Sequence, residues 1–271
     1  MRRVLLAAAM FAMSASAQAA DMPDFLRGSL GGGYTPPNSW QGFYAGGQAA
    51  YGTSTENFNG STTSILNALI SNLVVSETGI GQSNLQLGKV SSHIWGYGAF
   101  GGYNWQWDDV VLGLDASYLH GNMGGTARAT EAFSTTTPLS DGLFHSVSAT
   151  SSSQIAISDT ATFRGRAGYS FGCFLPYVFG GLALGNASMT QSVTVRDAAS
   201  MNILGPFTPF TPLSSTQGTS DHLIYGYTAG LGVDIKLVGG LFMRAEWEYV
   251  RFVDVTEVNV NTVRAGLGYK F

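Results

Sequence analysis

Charged residues in this sequence fall at alternate positions. Arg164 and Arg166 lie two apart, and so do Arg244, Glu246 and Glu248. Asp115, Asp234, Arg264 and Lys270 sit singly in similar alternating runs. Residues two apart on a strand share a face, so all of these side chains fall on the face opposite the aromatic residues. Opposite charges enclosed together pair, because an unpaired buried charge is costly. The bland outcome is a salt-bridge network that plugs and stiffens an interior, with Arg164, Arg166, Arg244, Glu246 and Glu248 at its centre. The sharper one is an ion pathway. The pattern favours the plug.

His93, His120, His145 and His222 form a second candidate set. All four map to the end of the molecule that carries long connections. Imidazole is the common metal and haem ligand, so a haem- or ligand-binding role is an alternative. Parity sends His93 and His120 outward and His222 inward. No two histidines are at close ligand spacing, and no cysteine or carboxylate cluster accompanies them. They read as ordinary polar loop residues, with no metal or cofactor expected. A hydrolytic site would need a His with a Ser or an acid held at a fixed rim position. Serine is too common in these loops for any pair to stand out, and no enzyme is expected. Cys173 is the sole cysteine. It excludes an intrachain disulfide and reads as a small apolar filler. "GPFTPFTPL", 205–213, repeats Phe-Thr-Pro, and Phe207 and Phe210 are expected to fold back on their own loop.

The elements that must position these residues are strands. "ATFRGRAGYSF" (161–171) sets Phe163, Ala167, Tyr169 and Phe171 against Arg164 and Arg166. "VVLGLDASYL" (110–119), "IYGYTAGLGVDI" (224–235), "LFMRAEWEYV" (241–250) and "NTVRAGLGYKF" (261–271) alternate in the same way. Such period-2 patterns are the strand signature. Weaker candidates lie at 41–52, 94–107 and 174–185. The last is apolar on both faces, which leaves its orientation open. Eight strands of about ten residues result. Short joints fall near 107–109, 172–173 and 237–240. Longer Ser/Thr/Gly-rich loops fall at 53–92, 120–159 and 187–221, and a shorter one near 251–260. Residues 64–76 carry helical spacing at Ile65, Leu66, Leu69, Ile70 and Leu73.

Only 11% of residues are charged and 36 are glycine. Soluble domains average about 25% charged. The net charge of −4 offers no basic field for nucleic acid. "MRRVLLAAAMFAMSASAQAA" reads as a signal peptide (1–19), with Arg2 and Arg3 before an apolar run and a small-x-small cleavage site. A flexible periplasmic segment (20–39) and the barrel domain (40–271) follow. With no apolar stretch long enough for a spanning helix, a closed barrel is the structure that satisfies every backbone group in a bilayer. A soluble barrel would alternate too, with its sides reversed. The aromatic face is too bulky to fill a narrow interior, whereas the glycine-rich face suits a tight lumen. The expectation is an all-β, eight-stranded antiparallel transmembrane barrel in the cell outer membrane, contacting lipid and lipopolysaccharide.

The ending, Arg264-x-Gly266-x-x-Tyr269-x-Phe271, resembles the C-terminal signal by which the barrel-assembly machinery recognises bacterial outer-membrane proteins. "WQGFYAGGQAAYG" (40–52), "FGGYNWQWDDVVLGLDASY" (100–118), "FRGRAGYSFGCFLPYVFGGLALG" (163–185) and "MRAEWEYV" (243–250) resemble the Omp25/Omp31/RopB-type surface proteins of alphaproteobacteria. These belong to the wider OmpA-like, porin-family group of eight-stranded barrels. The resemblance covers the strands, not the long loops. It implies a structural, surface-exposed protein of the cell envelope, with a host or environmental ligand at its loops. A small porin-like channel is the alternative.

Overall fold

The computed structural model describes residues 39–80, 87–253 and 257–271. The expected signal peptide and residues 20–38 lie outside the described residues. Nine strands are described: β1 (Gly42–Asn57), β2 (Lys89–Trp107), β3 (Val110–Ser134), β4 (Phe144–Tyr169), β5 (Phe174–Ser200), β6 (Thr208–Pro209), β7 (Leu213–Lys236), β8 (Leu241–Phe252) and β9 (Val258–Lys270). All but the two-residue β6 form one antiparallel ring in the order β1-β2-β3-β4-β5-β7-β8-β9. β9 closes it against β1, from Tyr44↔Lys270 to Glu56↔Val258. The Phe271 amide continues the ladder by donating to the Phe43 carbonyl.

The ring sorts side chains as the alternation requires. Phe43, Trp107, Tyr169, Tyr269 and Phe271 point outward at one rim, and Tyr51, Trp95, Tyr97, Tyr118 and Tyr225 at the other. Leu114, Phe163, Val178, Leu182, Leu231 and Leu267 are exposed between them. Asp115, Arg164, Arg166, Asp234, Arg244, Glu246, Glu248 and Arg264, at alternate positions of the same spanning runs, are buried. That is the sidedness of a barrel with lipid outside, with aromatic girdles at the two interfaces. The joints at 108–109, 172–173 and 237–240 are tight turns, with Gly172 and Gly239 supplying the positive φ. Cys173 is not a packed filler: it is exposed in one of these turns, since so short a connection leaves it no interior to enter.

Two expectations about the walls are overturned. First, the segments 120–159 and 187–221 are mostly strand, not loop. β3, β4, β5 and β7 run 24 to 27 residues, where about 9–11 suffice to cross a bilayer. Their upper halves are polar but keep period 2: His145, Val147, Ala149, Ser151, Ser153, Ile155 and Ile157 are all buried on one face. Hydroxyl pairs such as Thr130–Thr150 (3.0 Å) link neighbouring strands on the other face. The actual turns are confined to 135–143 and 201–212. Second, the lumen is not lined by small residues alone. Trp40, Tyr44, Phe100, Val111, Leu175, Tyr177, Phe179 and Phe242 pack together inside its periplasmic half. The ambiguous strand, β5, turns Leu175, Tyr177 and Phe179 inward and Phe174, Val178 and Leu182 outward. The inward glycines make room for these rings. A methyl group on Gly268 would enter the Phe242 ring and approach the Phe100 ring at 3.1 Å.

A short helix, α1 (Thr63–Ile70), is where the helical spacing placed one, and a 3₁₀ turn follows at Val74–Thr78. Ile65, Leu66, Ile70 and Val75 pack on Val147, Ala149, Val193 and Val195 of the tall wall. Substituting Gly268→Val forces two packed rings apart. Overpacking of this kind costs about 1–3 kcal/mol, which urea unfolding of the refolded protein will show as a lowered midpoint; an unchanged midpoint would contradict the packing.

Candidate functional site

β3, β4, β7, β8 and β9 turn the lumen charges toward one another. Arg164 binds Asp115 through Nε (3.0 Å), Glu246 through Nη1 (3.1 Å) and Glu248 through the same nitrogen (3.2 Å). Arg244 reaches Asp234 (2.9 Å) and Asp115 (3.0 Å), and Arg166 reaches Asp234 (2.9 Å). Arg264 pairs with Glu248 and donates to Ser117 Oγ (3.1 Å). The four arginines face four carboxylates, Asp115, Asp234, Glu246 and Glu248, so the formal charges cancel. Lys270, on the same face, stays outside the network and donates to the Gln41 carbonyl at the periplasmic rim (3.1 Å).

Neutral groups extend the network, while Arg166 Nε and Nη1 keep no hydrogen-bond partner among the described residues. Tyr44 Oη donates to Asp115 (2.7 Å), Tyr177 Oη to Glu246 (2.7 Å) and Thr228 Oγ1 to Glu248 (2.8 Å). The Arg164 guanidinium lies 4.3 Å from the Phe179 ring centre and that of Arg244 lies 4.0 Å from Phe100. Arg166 lies 4.3 Å from the Tyr177 ring, so its charge meets a π face as well as Asp234. Tyr44 and Tyr177 were not among the expected site residues. The signal that could have found them is their parity with the inward glycines. Above the charges lies a second apolar layer: Ile94, Leu119, Ile224, Val250, Phe252 and Val260. The lumen is thus filled in three layers: aromatic, ionic and a mostly aliphatic one.

The histidines do not converge. His93 stacks on Tyr51 (6.1 Å between ring centres), and His120 shares Asp159 (2.8 Å) with Tyr118 on the outer surface. His222 was expected inward. It is exposed, where the β5–β7 register shifts between Ala187 and Met189 and Asp221 takes a positive φ. Among the described residues no group of three or more His, Cys, Asp or Glu is arranged to hold a metal.

His145 departs furthest from expectation. It is not a bare loop residue but the second residue of β4, buried between two carboxylates. Nδ1 lies 3.0 Å from Asp197 on β5, and Nε2 lies 2.9 Å from Asp141 in the adjoining turn. Phe210 stacks on the ring (6.3 Å), so this half of the Phe-Thr-Pro repeat does not fold back on its own loop but packs on the neighbouring β3–β4 hairpin. With Leu73, Val74, Val75, Val195 and Leu213 these residues line a cleft of about 420 Å³. Burial pushes the imidazole pKa down, but the hydrogen bonds and charges of Asp197 and Asp141 outweigh it and hold the pKa above the usual 6.5. Asp141 is held below its usual value by hydrogen bonds from the Leu143 amide and His145.

The fold and its sidedness define an eight-stranded outer-membrane β-barrel. The sequence profile of the outer membrane protein beta-barrel domain matches residues 5–271, and the chain belongs to that family and resides in the outer membrane. It is 23% identical over 185 residues to the 25 kDa outer-membrane immunogenic protein of Brucella ovis, covering 68% of each chain. The counterpart in Brucella canis is also 23% identical, over 195 residues, covering 68% of this chain and 70% of that one. Among solved structures, Neisserial surface protein A aligns at 14% identity and a TM-score of 0.33, covering 84% of this chain and 97% of that one.

Two outcomes follow. Arg244→Met leaves Asp115 and Asp234 short of a partner in the interior. Breaking one side of a buried ion pair costs about 3–5 kcal/mol, measurable as a shift in the urea midpoint of the refolded barrel. His145 will titrate above 6.5 by NMR. Because its folded pKa is raised, its stabilisation is fully present below the unfolded value and is lost as pH rises through the folded one. Amides of the 135–143 turn will therefore exchange faster, after correction for intrinsic rate, once the pH passes that value; a flat profile would contradict the pairing.

Proposed function

We propose that this chain is a non-enzymatic, closed structural barrel that strengthens the outer membrane and carries a contact surface outward. The observation that carries the reading is the filled lumen: paired charges bounded by packed rings below and aliphatic side chains above. An ion crossing that interior would have to break buried ion pairs, each of which is costly to open. The tall, hydroxyl-rich wall favours contact over catalysis, because outward hydroxyls such as Thr130–Thr150 and Ser134–Ser146 bond one another across strands. Lipid and lipopolysaccharide surround the barrel, and the barrel-assembly machinery reads Arg264, Gly266, Tyr269 and Phe271. Arg264 and Gly266 of β9 face inward, while Tyr269 and Phe271, the latter just past the strand's end, stand exposed at the periplasmic rim.

Planar-bilayer recording on the refolded chain will show no stable open conductance. A steady conductance in the wild-type chain would remove the closed-barrel reading and favour a small channel. Cells lacking the protein will become more sensitive to detergent and bile salts. Wild-type sensitivity in such cells would remove the structural role.

A further inference from the structure

The cleft beside His145 combines an apolar lining with an excess of negative charge. Leu73, Val74 and Val75 reach it from the segment after α1, Val195 from β5, Leu213 from β7 and Phe210 from the connection between β5 and β7. Its volume of about 420 Å³ falls within the range of about 300–1,000 Å³ common to small-molecule sites. Phe210 joins the two parts: its ring stacks on His145 and also borders the apolar lining.

The polar part does not balance. Asp141 and Asp197 hold a single imidazole between them, so even with His145 protonated the cleft keeps one negative charge. The charges around it have the same sign. Glu77, in the 3₁₀ turn, accepts from the Ser140 amide (3.1 Å), and Glu131 shares the inward side of β3 with Ala127 and Phe133. Arg128 of β3 and Arg196 of β5 are exposed on the opposite face of their strands. Residues 198–220 carry no charge. The carboxylates are also less enclosed than the ring they hold: the Asp141 side chain is 31% exposed and that of Asp197 16%, against 3% for His145. Each carboxylate oxygen can accept two hydrogen bonds. Asp141 Oδ2 spends one on His145 (2.9 Å) and Oδ1 one on the Leu143 amide (3.0 Å). Acceptor capacity is left for a donor that enters the cleft.

We propose that this cleft binds a small organic cation from the medium outside the cell, a primary ammonium group carried on an aromatic or branched aliphatic body. A neutral apolar molecule would fill the lining but leave the negative charge uncompensated, and an anion would add to it. The ammonium donates to Asp141 and Asp197, and the body lies against Val75, Val195, Phe210 and Leu213. His145 sets the strength. Histidine is the side chain that changes charge near neutral pH, and a protonated ring repels an incoming cation. Proton and ligand therefore compete: binding tightens as pH rises through the folded pKa of His145, and by reciprocity a saturating ligand lowers that pKa. The site is separate from the closed-barrel reading, whose failure would leave this cleft unchanged.

The test uses the full chain, with nitrogen-labelled histidine, refolded into phosphatidylcholine nanodiscs and observed by NMR. His145→Gln identifies the His145 signals. The probe is phenethylamine, which like a lysine side chain stays charged well above neutral pH. A saturable shift of the His145 signals is expected. Its neutral and anionic counterparts, 2-phenylethanol and 3-phenylpropanoate, should bind at least about tenfold more weakly. Affinity for the amine should rise about fivefold or more between the acidic and basic sides of the His145 titration. Asp141→Asn keeps the shape of the turn but removes a charge, and should weaken binding about tenfold or more. Leu213→Trp fills the cleft without touching either carboxylate and should abolish binding; a ligand-free His145 pKa still above 6.5 in this variant shows that the ion pairs are intact. No saturable shift at His145, equal binding of the alcohol or the acid, an affinity that is flat or falls with rising pH, or wild-type binding by Asp141→Asn or Leu213→Trp would each overturn the proposal.

Discussion

A bilayer core gives a backbone nothing to bond with, and this chain meets that constraint by ending where it began. β9 lies along β1 for the length of both membrane-spanning runs, so no strand in the lipid has an open side. The remaining architecture is a response to that closure. A ring of eight strands has a bore that side chains can fill, and in this filled interior the inward groups must satisfy one another. Alternation delivers arginines and carboxylates to the same enclosed volume, where they pair. Glycines opposite the rings set how far each aromatic side chain can reach inward.

The spanning part was legible because one period governs it. A lone strand of the sequence shows that Arg164 and Arg166 share a face and that Phe163 and Tyr169 share the other. It does not show whom Arg164 meets. Glu246 lies 82 positions later, and the pairing exists only once the ring fixes the strand order. Tyr44 and Tyr177 were missed for a related reason. An aromatic residue was read as lipid-facing, yet a ring can turn inward where a facing glycine yields space. On 174–185 both faces are apolar, so pattern alone could not choose, and packing against Arg166 and Asp234 did.

The tall wall was misread because composition outweighed period. Ser, Thr and Gly suggested loops, although Val147, Ala149, Ser151, Ser153, Ile155 and Ile157 keep a strict alternation through 144–157. Threonine is also a good strand former. The same misreading hid His145. Treated as loop, it had no defined neighbours. As an inward residue of β4 it must find partners, and Asp197, two residues beyond Val195 on the facing side of β5, is placed to be one. Where side chains are small and hydroxylated, strand and loop differ mainly in pairing, which a single sequence does not display.

The unequal heights of the strands give the molecule a direction around its own axis. β3, β4, β5 and β7 rise together beyond the rim while β1, β2, β8 and β9 stop sooner, so the part outside the membrane is a curved screen. At about 3.3 Å per residue and a strand tilt of about 40°, the turn between β3 and β4 is carried about 40 Å above the outer girdle at Tyr118. Anything approaching the concave side meets α1 and the apolar groups it covers; anything approaching the convex side meets hydroxyls. In a crowded membrane the barrel can spin in place, but it cannot present both sides to one neighbour at once. Packing many copies side by side therefore creates a surface whose texture depends on how each screen is turned, a property that a barrel with rims of equal height would lack.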